Sequence, residues 1–315
     1  MKKVSIMVPC YNEEQSLPLL YEELVKVPEM ADGYEWEFLF INDGSTDATL
    51  AVLENLRLQD ERVCYIDLSR NYGKESAMLA GFDYATGDCM VIMDADLQHP
   101  PIAIPLMLEK WNQGFDDVYA KRTTRGKESW LRKKLSLAYY RLLSKASRVD
   151  VLPNVGDFRL LDRQCIDSMR ELRESNRYTK GMFCYIGYRK TSIEFEQGDR
   201  VAGKSSWSYS SLFKLALEGI MSYTTAPLRI SAIIGILVSL LAFIYMLFIF
   251  IKAILFGDPV QGFPTLMTVI LFLGGVQLLS LGIIGEYLGR IFTETKGRPV
   301  YFVRTYNGEK VYRNR

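Results

Sequence analysis

Histidine is nearly absent from this 315-residue sequence, in which His99 is the one residue of its type. A Ser-His-Asp or Cys-His catalytic centre would have to use that residue, and nothing in the neighbouring sequence supports such a role. Pro100 and Pro101 follow it directly, so we expect His99 to be a turn residue rather than a metal ligand. The sequence therefore gives no support to a hydrolase of either kind.

Paired cysteines are missing as well. The five cysteines are scattered and form no CxxC pair (Cys10, Cys64, Cys89, Cys165 and Cys184). An odd, unpatterned set argues against a zinc site or a disulfide framework, and it suits a reducing compartment. We expect all five to be small core residues.

Charged residues are missing from two stretches near the C-terminus, 230–251 and 264–285. Each has 22 residues, and about 20 helical residues cross the hydrocarbon core of a bilayer. Buried helices of soluble proteins are rarely this long without a charge, so the pattern predicts two transmembrane helices. The N-terminus does not resemble a signal peptide, because Pro9 ends its short apolar run.

Basic residues predict the orientation of these helices. The loop 252–263 carries one basic and one acidic residue, whereas the tail 286–315 carries seven basic residues against three acidic ones. Basic segments face the cytoplasm, so we expect a multi-pass protein of the inner (plasma) membrane whose N-terminal domain and tail are both cytoplasmic. The predicted order is an N-terminal domain (1–208), an amphipathic juxtamembrane helix (209–228), two spans (229–286) and a short cytosolic tail (287–315).

Strand-like and helix-like segments alternate in the N-terminal domain, which indicates an α/β fold with a mostly parallel sheet. Short apolar runs predict strands at Val4–Val8, Phe38–Ile41, Val63–Leu68, Met90–Met93 and Val118–Ala120. Helical patterns lie at Glu13–Val27, Ala48–Leu58, Lys74–Tyr84 and Ile102–Asn112. Ligands of such sheets bind beyond the carboxyl ends of the strands, and polar clusters follow three of these strands.

The most informative of these clusters contains Asp94 and Asp96, which flank a small residue directly after an apolar run. A spacing of two in extended backbone points both carboxylates the same way. Two carboxylates with substrate phosphate oxygens form a typical Mg²⁺ or Mn²⁺ site. The alternative is a pair of solvated loop acids, and the position after a buried strand favours the metal site.

Asp43 and Glu13 are candidates for binding a nucleoside. The Asp43 carboxylate could accept hydrogen bonds from a base or a ribose, although an Asx-turn with Gly44 and Ser45 is a common structural alternative. Glu13 could bind ribose hydroxyls, or it could lie in the first turn of its helix, where the helix dipole favours an acid.

Positive charge is concentrated in residues 121–148, which hold ten basic residues and one acid in a chain of net charge +1. Apolar residues recur there at helical spacing, so 129–147 is predicted to be a basic amphipathic helix on a membrane surface. A solvated helix face or a nucleic-acid patch is the alternative, but two adjacent spans favour lipid headgroups and no nucleic-acid partner. Arg122 and Arg132 are our first candidates to bind an acceptor phosphate, because guanidinium groups bind phosphate in bidentate fashion.

Five ordered motifs, VPCYNEE, INDGSTD, RNYGKESA, DADLQHPP and VGDFRLLD, carry a family resemblance. The chain resembles, over essentially its whole length, the family-two glycosyltransferases of GT-A fold that act on polyisoprenyl phosphates, a group that includes dolichyl-phosphate mannose synthase. The VGDFRL element and the two following spans look most similar to bactoprenol (undecaprenyl-phosphate) glucosyltransferases. Residues 1–208 would then form the GT-A catalytic domain.

The resemblance implies a role for each matching position. Pro9, Tyr11, Glu13 and Asp43 would hold the nucleoside, and Asp94, Asp96 and Gln98 would hold a divalent metal and the donor pyrophosphate. Asp157 would lie at the acceptor as base or orienting group. Lys74 would border the donor site, or be a solvated helix residue. Arg200, in the glycine-flanked loop 198–207, would belong to a lid over the phosphates, or to an ordinary connector.

The implied reaction is transfer of a hexose, with glucose as the first choice, from a UDP-sugar to undecaprenyl phosphate. The carboxylates that can be placed already have other tasks, so no enzymic nucleophile remains and we expect inversion at the anomeric carbon. The lipid-linked sugar would be passed to a flippase and used to modify a cell-surface glycan such as lipopolysaccharide O-antigen, and a homo-oligomer is compatible with this role. The rival hypotheses are a non-enzymatic scaffold and a processive polysaccharide synthase, which normally has more spans and a QxxRW element.

Overall fold

A computed structural model describes residues 1–122, 155–195 and 262–311, together with isolated positions between 228 and 255. The predicted basic helix 129–147 lies outside the described residues, as do Arg132, Arg200 and the lid loop 198–207. The same holds for the juxtamembrane helix 209–228 except its last residue. Within the predicted first span, 230–251, the isolated positions that are described are helical, and the span itself stays a prediction.

Nine strands and eight α-helices are described, numbered here in chain order. The strands are β1 (Lys2–Cys10), β2 (Tyr34–Asn42), β3 (Val63–Leu68), β4 (Cys89–Ile92), β5 (Asp117–Arg122), β6 (Val155–Asp162), β7 (Lys190–Phe195), β8 (Val303–Tyr306) and β9 (Glu309–Lys310). The helices are α1 (Ser16–Leu24), α2 (Val27–Met30), α3 (Thr49–Gln59), α4 (Lys74–Tyr84), α5 (Ile104–Asn112), α6 (Arg163–Glu171), α7 (Thr179–Tyr185) and α8 (Phe263–Thr295).

The strands form one mixed sheet in the order β7-β5-β6-β4-β1-β2-β3-β8-β9. The four central strands, β4-β1-β2-β3, are parallel, as the alternating pattern predicts. Four of the eight strand pairings in this sheet are antiparallel, however, because β6 and β8 flank the parallel centre in the opposite direction. The expectation of a mostly parallel sheet therefore holds for the four central strands and for the β5–β7 pair at one edge. The antiparallel strands β6 and β8 come from segments far away in the sequence.

Helices cover both faces of the sheet, so the domain has three layers with two apolar cores. One core packs α1, α3 and α5 against β1 and β2, through residues that include Leu17, Leu20, Leu53, Met107 and Phe38. The other packs α4, α6 and α7 on the opposite face, through residues that include Met78, Phe82, Ile166, Phe183 and Met7. This layering follows from β1 and β2, whose central residues are buried on both sides and therefore need cover from two helical layers.

The predicted helix Glu13–Val27 is shorter than expected and is followed by a separate turn of helix, α2. Asn12 has a φ of +56°, and the backbone N–H of Glu13 donates to Thr49 Oγ1 over 2.8 Å. The hydrogen bond to Thr49 holds residues 12–14 as a loop against the start of α3. The boundary was missed because it depends on a contact between distant segments.

The C-terminal segment contains structure that the prediction of a short cytosolic tail did not include. Helix α8 continues past the predicted end of the second span to Thr295, and within the described residues one helix, Phe272–Thr295, is long and apolar enough to cross a membrane. The chain then returns to the globular domain, where β8 pairs antiparallel with β3. The sequence of β8 is too short and too polar to stand out as a strand.

Candidate active site

The polar clusters lie together at the carboxyl edge of the parallel strands. Cys10 at the end of β1 is in register with Asn42 at the end of β2, which is in register with Asp67 near the end of β3. Met7 of β1 is opposite Ile92, the last residue of β4. The loops after these strands therefore adjoin one another, which is the arrangement that the sequence predicts for a single crevice.

The first two loops are bound to each other. The Asn12 N–H donates to Ser45 Oγ over 3.0 Å, and Thr46 N–H donates to the Asn12 side chain over 2.9 Å. Glu13 accepts a short hydrogen bond from the Ser16 hydroxyl. Pro9 lies near the end of β1, and Tyr11 directly follows this strand. The Tyr11 side chain is 45% exposed and is available to a ligand.

Asp43 is buried, and both of its carboxylate oxygens accept backbone hydrogen bonds from the loop before α4. Oδ1 accepts from the Tyr72 N–H over 2.7 Å, and Oδ2 accepts from the Gly73 N–H over 2.8 Å. Burial raises the pKa of Asp43, and the two N–H donors oppose that rise. Asp43 thus fixes the loop that starts α4, and its predicted contact with a nucleoside stays a prediction.

Lys74 links the candidate metal motif to the candidate acceptor residue. It is the first residue of α4, after Gly73 with a φ of +90°, a value that favours glycine. Its Nζ lies 2.6 Å from Asp94 Oδ1 and 2.7 Å from Asp157 Oδ2. The Lys74 side chain is 40% exposed and that of Asp157 is 11% exposed, so the ion pair stands at the border between the core and the crevice.

The charges of this cluster keep Asp157 ionised. Burial by itself would raise the pKa of the Asp157 carboxyl, but the ammonium groups of Lys74 and Lys180 and the Arg159 guanidinium hold that pKa well below its usual range. Burial would lower the pKa of Lys74, and the carboxylates of Asp157 and Asp94 raise it above its usual value instead. The cluster is therefore a carboxylate–ammonium–carboxylate bridge.

The segment 94–99 is a compact loop organised by His99. The Asp94 N–H donates to His99 Nδ1 over 3.1 Å, and the Gln98 N–H donates to Asp96 Oδ1 over 3.2 Å. The imidazole of His99 is buried and stacks on Phe158, with ring centroids 4.8 Å apart. Burial lowers the pKa of His99, so the ring is neutral and accepts at Nδ1. His99, which the sequence predicts to be a turn residue, thus holds the backbone of the DxD motif, Asp94-Ala95-Asp96.

The donor set of this loop fits a divalent metal that binds together with a substrate. Within the described ranges no group of three or more His, Cys, Asp or Glu side chains could hold a metal by itself. Asp94 and Asp96 supply two carboxylates at the crevice, and Mg²⁺ typically takes one or two carboxylates and completes its shell with phosphates and water. Gln98, third of the predicted ligands, lies in the same loop.

Arg122, at the end of β5, also reaches this region. A Cβ on Gly156 would lie 3.9 Å from Arg122 Nη2 and 4.0 Å from His99 Nε2, so the guanidinium lies beside the residue that precedes Asp157. Of the predicted acceptor residues, Arg122 is therefore placed near the site. Arg132 and Arg200 stay predictions.

Sequence reasoning missed the residues that support this cluster. Glu75 Oε2 accepts from the Thr179 N–H over 2.9 Å, which brings Lys180 of α7 near Asp157. Arg159 forms a buried ion pair with Asp117 at 3.0 Å. Glu75 directly follows Lys74, and this adjacency is the one sequence signal for the contact made by Glu75. Nothing in the sequence indicates that Thr179 is the partner of Glu75 or that Asp117 is the partner of Arg159.

Comparison with known proteins shows the family to which this chain belongs. Residues 5–170 match Glycosyl transferase family 2. The chain belongs to this family. Residues 226–291 also match the family described as GtrB C-terminal hairpin. The family resemblance carried by the five motifs is thereby confirmed, and a GT-A α/β fold with a mixed sheet is the fold of this family-two glycosyltransferase.

The family-two relatives match nearly the whole chain. The putative glycosyltransferase CsbB of Bacillus subtilis is 44% identical, over 96% of this chain and 92% of its own length. The bactoprenol glucosyl transferase of Shigella phage SfX is 42% identical, over 96% and 99%. Glucosyl-3-phosphoglycerate synthase from Mycobacterium tuberculosis, solved with Mn²⁺, UDP and glucosyl-3-phosphoglycerate, aligns with a TM-score of 0.46 at 16% identity, over 70% of this chain and 78% of that one.

Proposed function

We propose that this family-two enzyme transfers glucose from UDP-glucose to a polyprenyl phosphate, with inversion at the anomeric carbon. The observation that carries the proposal is 42% identity over 96% of the chain to bactoprenol glucosyl transferases. The product is a lipid-linked glucose that serves cell-surface glycan modification after passage to a flippase.

The donor occupies the crevice at the carboxyl edge of the sheet. Pro9, Tyr11, Glu13 and Asp43 border the nucleoside, at the ends of β1 and β2. Asp94, Asp96 and Gln98 hold a divalent metal, Mg²⁺ or Mn²⁺, with the donor pyrophosphate. When bound by these residues, such a metal would supply positive charge to offset the charge of the diphosphate leaving group.

The acceptor phosphate lies on the side of Asp157 and Arg122. A phosphate oxygen is already a nucleophile near neutral pH, so Asp157 orients the acceptor more than it removes a proton. Lys74 keeps that carboxylate ionised and separates it from Asp94 by one ammonium group. Arg122, with Arg132 and Arg200, supplies positive charge to hold the lipid phosphate, which gives proximity to the anomeric carbon.

The enzyme is a multi-pass protein of the inner membrane, with its catalytic domain and tail in the cytoplasm. Support comes from β8, which follows α8 and pairs with β3 of the catalytic domain. The chain before and after the membrane therefore lies on one side, which requires an even number of crossings. With α8 as one crossing, the second is the predicted span 230–251.

A nucleotide-sugar screen tests the proposal. Purified full-length protein is incubated with undecaprenyl phosphate and UDP-glucose, UDP-galactose, UDP-N-acetylglucosamine or GDP-mannose, and product mass and nucleotide release are measured. UDP-glucose is expected to give UDP and a glucosyl-phosphate lipid, with no lipid product from the others. Lipid-dependent transfer from another donor alone would correct the sugar, and absence of transfer from every donor would favour a non-enzymatic scaffold.

A further inference from the structure

The segment after α8 docks on the sheet beside the donor loops. In this docking segment, residues 301–311, Thr305 of β8 is in register with Asp67 of β3. The Asn307 N–H donates to the Tyr65 carbonyl over 2.9 Å, and the Tyr65 N–H donates to Asn307 Oδ1 over 2.8 Å. The docking segment thereby extends the sheet at the strand next to β2.

Arg304 of the docking segment crosses the carboxyl end of β3. Its Nη1 lies 3.3 Å from Asp67 Oδ2, and its Nη2 donates to the Ser69 carbonyl over 3.0 Å. The Asp67 side chain is 2% exposed. Among the described residues, Asp67 Oδ2 has no hydrogen bond, so the Arg304 guanidinium is the counter-charge for a buried carboxylate.

One chain of contacts leads from Asp67 to the second loop of the site. Asp67 Oδ1 accepts from Asn42 Nδ2 over 2.8 Å. The other end of the same amide, Asn42 Oδ1, accepts from the Ser45 N–H over 3.2 Å. Ser45 in turn binds the Asn12 N–H, so the orientation of one buried amide fixes the loops after β1 and β2.

A second chain of contacts leads from Ser69 to Asp43. The Ser69 hydroxyl and the Tyr72 hydroxyl are 2.9 Å apart, and the Tyr72 N–H donates to Asp43 Oδ1 over 2.7 Å. The loop after β2 and the loop after β3 also touch directly. A Cβ on Gly44 would lie only 2.3 Å from the carbonyl carbon of Arg70, so the two backbones are packed against each other without space for a side chain. Any shift of the loop after β3 is therefore transmitted to the loop after β2.

We propose that Arg304 is a positioning residue for the nucleotide-sugar donor, acting through Asp67 and Ser69 on the loops that border the nucleoside. This inference rests on the proposed function, because it takes the donor to be a nucleotide sugar. A residue that follows α8 in the sequence therefore supports a donor site whose other proposed residues lie between positions 9 and 98.

Removal of Arg304, whose side chain is 58% exposed, leaves the Asp67 carboxylate, which is 2% exposed, without its counter-charge, and this disfavours the ionised form of Asp67. The strand end then relaxes, and the loops spend less time in the arrangement that binds the donor. Affinity falls in proportion to that lost population. We expect Arg304→Ala to raise the Kd and the KM for UDP-glucose about 5- to 20-fold, within the usual range of coupling between sites, with kcat at saturating donor within about twofold.

The experiment uses full-length enzyme in nanodiscs, with calorimetry of UDP-glucose binding and steady-state transfer. Arg298→Ala is the matched control, since Arg298 is an exposed arginine on the same connection, and it is expected to behave as wild type. Asp67→Asn in the Arg304→Ala background removes the unpaired charge, so it is expected to recover part of the affinity. A merely destabilised protein would lose folded enzyme and therefore kcat at saturating donor, whereas a positioning role raises the KM for UDP-glucose and leaves kcat nearly unchanged.

Two results would overturn the inference. One is an Arg304→Ala enzyme that binds UDP-glucose as wild type does, and the other is a loss that Asp67→Asn makes worse. If Arg304→Ala does not fold, Arg304→Lys replaces it, with an expected rise in Kd of about two- to fivefold because the second hydrogen bond is lost; wild-type affinity would contradict the inference. Wild-type protein that binds no nucleotide sugar would instead overturn the proposed function, and this inference with it.

Discussion

Lys74 shows how one residue gives the site its charge pattern. Its ammonium group contacts the first carboxylate of the DxD motif and the carboxylate of Asp157, which are 63 residues apart in the sequence. Each carboxylate has a different proposed task, with Asp94 on the metal and Asp157 on the acceptor. Substitutions at this scale therefore separate the two tasks.

Loss of either DxD carboxylate should abolish transfer. We expect Asp94→Ala and Asp96→Ala to reduce product formation below detection, because each substitution removes one of the two carboxylates that would hold the metal with the donor pyrophosphate. Chelation with EDTA should do the same, with recovery on addition of Mn²⁺ or Mg²⁺. The control is Asp32→Ala, an exposed acid before β2 at the opposite edge of the sheet. Full activity in the presence of chelator would contradict this prediction.

Asp157→Asn should impair the chemical step and spare the donor. The amide keeps the shape of the side chain but loses the charge that Lys74 pairs with, so we expect kcat to fall about 10²-fold, the loss that a small misplacement of a reacting group can cause. The Kd for UDP-glucose with metal should change less than threefold, because Asp94 and Asp96 are intact. Equal losses in donor binding and in turnover would instead place Asp157 on the donor side.

At the scale of elements, the end of β5 leads into the basic segment 121–148. Side chains alternate across a strand, so adjacent residues point to opposite faces. Lys121 is exposed, whereas Arg122 is partly buried beside Gly156 and His99. Arg122, the last residue of β5, therefore points toward the crevice. Lys121 carries the same charge on the opposite face, so its substitution tests whether the position of Arg122 or only its charge matters.

Arg122→Ala should weaken use of the lipid more than use of the nucleotide sugar. We expect the KM for undecaprenyl phosphate to rise about tenfold, equivalent to about 1.4 kcal/mol, with donor affinity nearly unchanged. Lys121→Ala removes the same charge from the opposite face and is expected to have little effect. Calorimetry measures donor binding, and steady-state kinetics at varied lipid concentration measure use of the acceptor, so the two effects are measured separately. Donor affinity lost with lipid kinetics intact would reverse the assignment. Arg132→Ala is expected to follow Arg122→Ala.

At the scale of the whole molecule, the sheet contains strands from both sides of the hydrophobic segments in the sequence. Strands β1 to β7 precede the hydrophobic segments, and β8 follows them and pairs with β3. The Ser175 N–H also donates to Glu294 Oε1 over 2.9 Å near the end of α8. These contacts hold the end of α8 against the globular domain.

Cysteine labelling should report this topology. Asp258→Cys, between the two predicted spans, is expected to react with a membrane-impermeant maleimide added to intact cells, whereas Lys310→Cys is expected to react after lysis alone. The background should be low because the native cysteines are buried or half-buried. Labelling of both positions from the same side would contradict two crossings.

The product should be the β-linked sugar phosphate of an α-linked donor. Asp94 and Asp96 are the proposed metal ligands, Asp43 binds backbone N–H groups and Asp157 pairs with Lys74. We therefore expect the lipid phosphate to attack in one step, opposite the departing diphosphate. The anomeric coupling of the product, measured by NMR, checks this. An α-linked product, or a covalent sugar adduct on the enzyme, would establish double displacement instead.

The sequence by itself determined the features that depend on local order. The apolar runs of β1 and β4 and the polar residues after them predict an α/β domain with Asp94 and Asp96 at a strand end, because strand periodicity and loop composition are local properties. The five motifs, through their residues and their order along the chain, likewise led to the family.

Tertiary structure decided everything that depends on which distant segments meet. The bridge from Asp94 through Lys74 to Asp157 is a three-dimensional contact, and no spacing in the sequence encodes it. The antiparallel strands β6 and β8 depend in the same way on pairing with partners far along the chain. Arg304 is the clearest case, because a basic residue in the tail has no local sign that it neutralises a buried carboxylate at the end of β3.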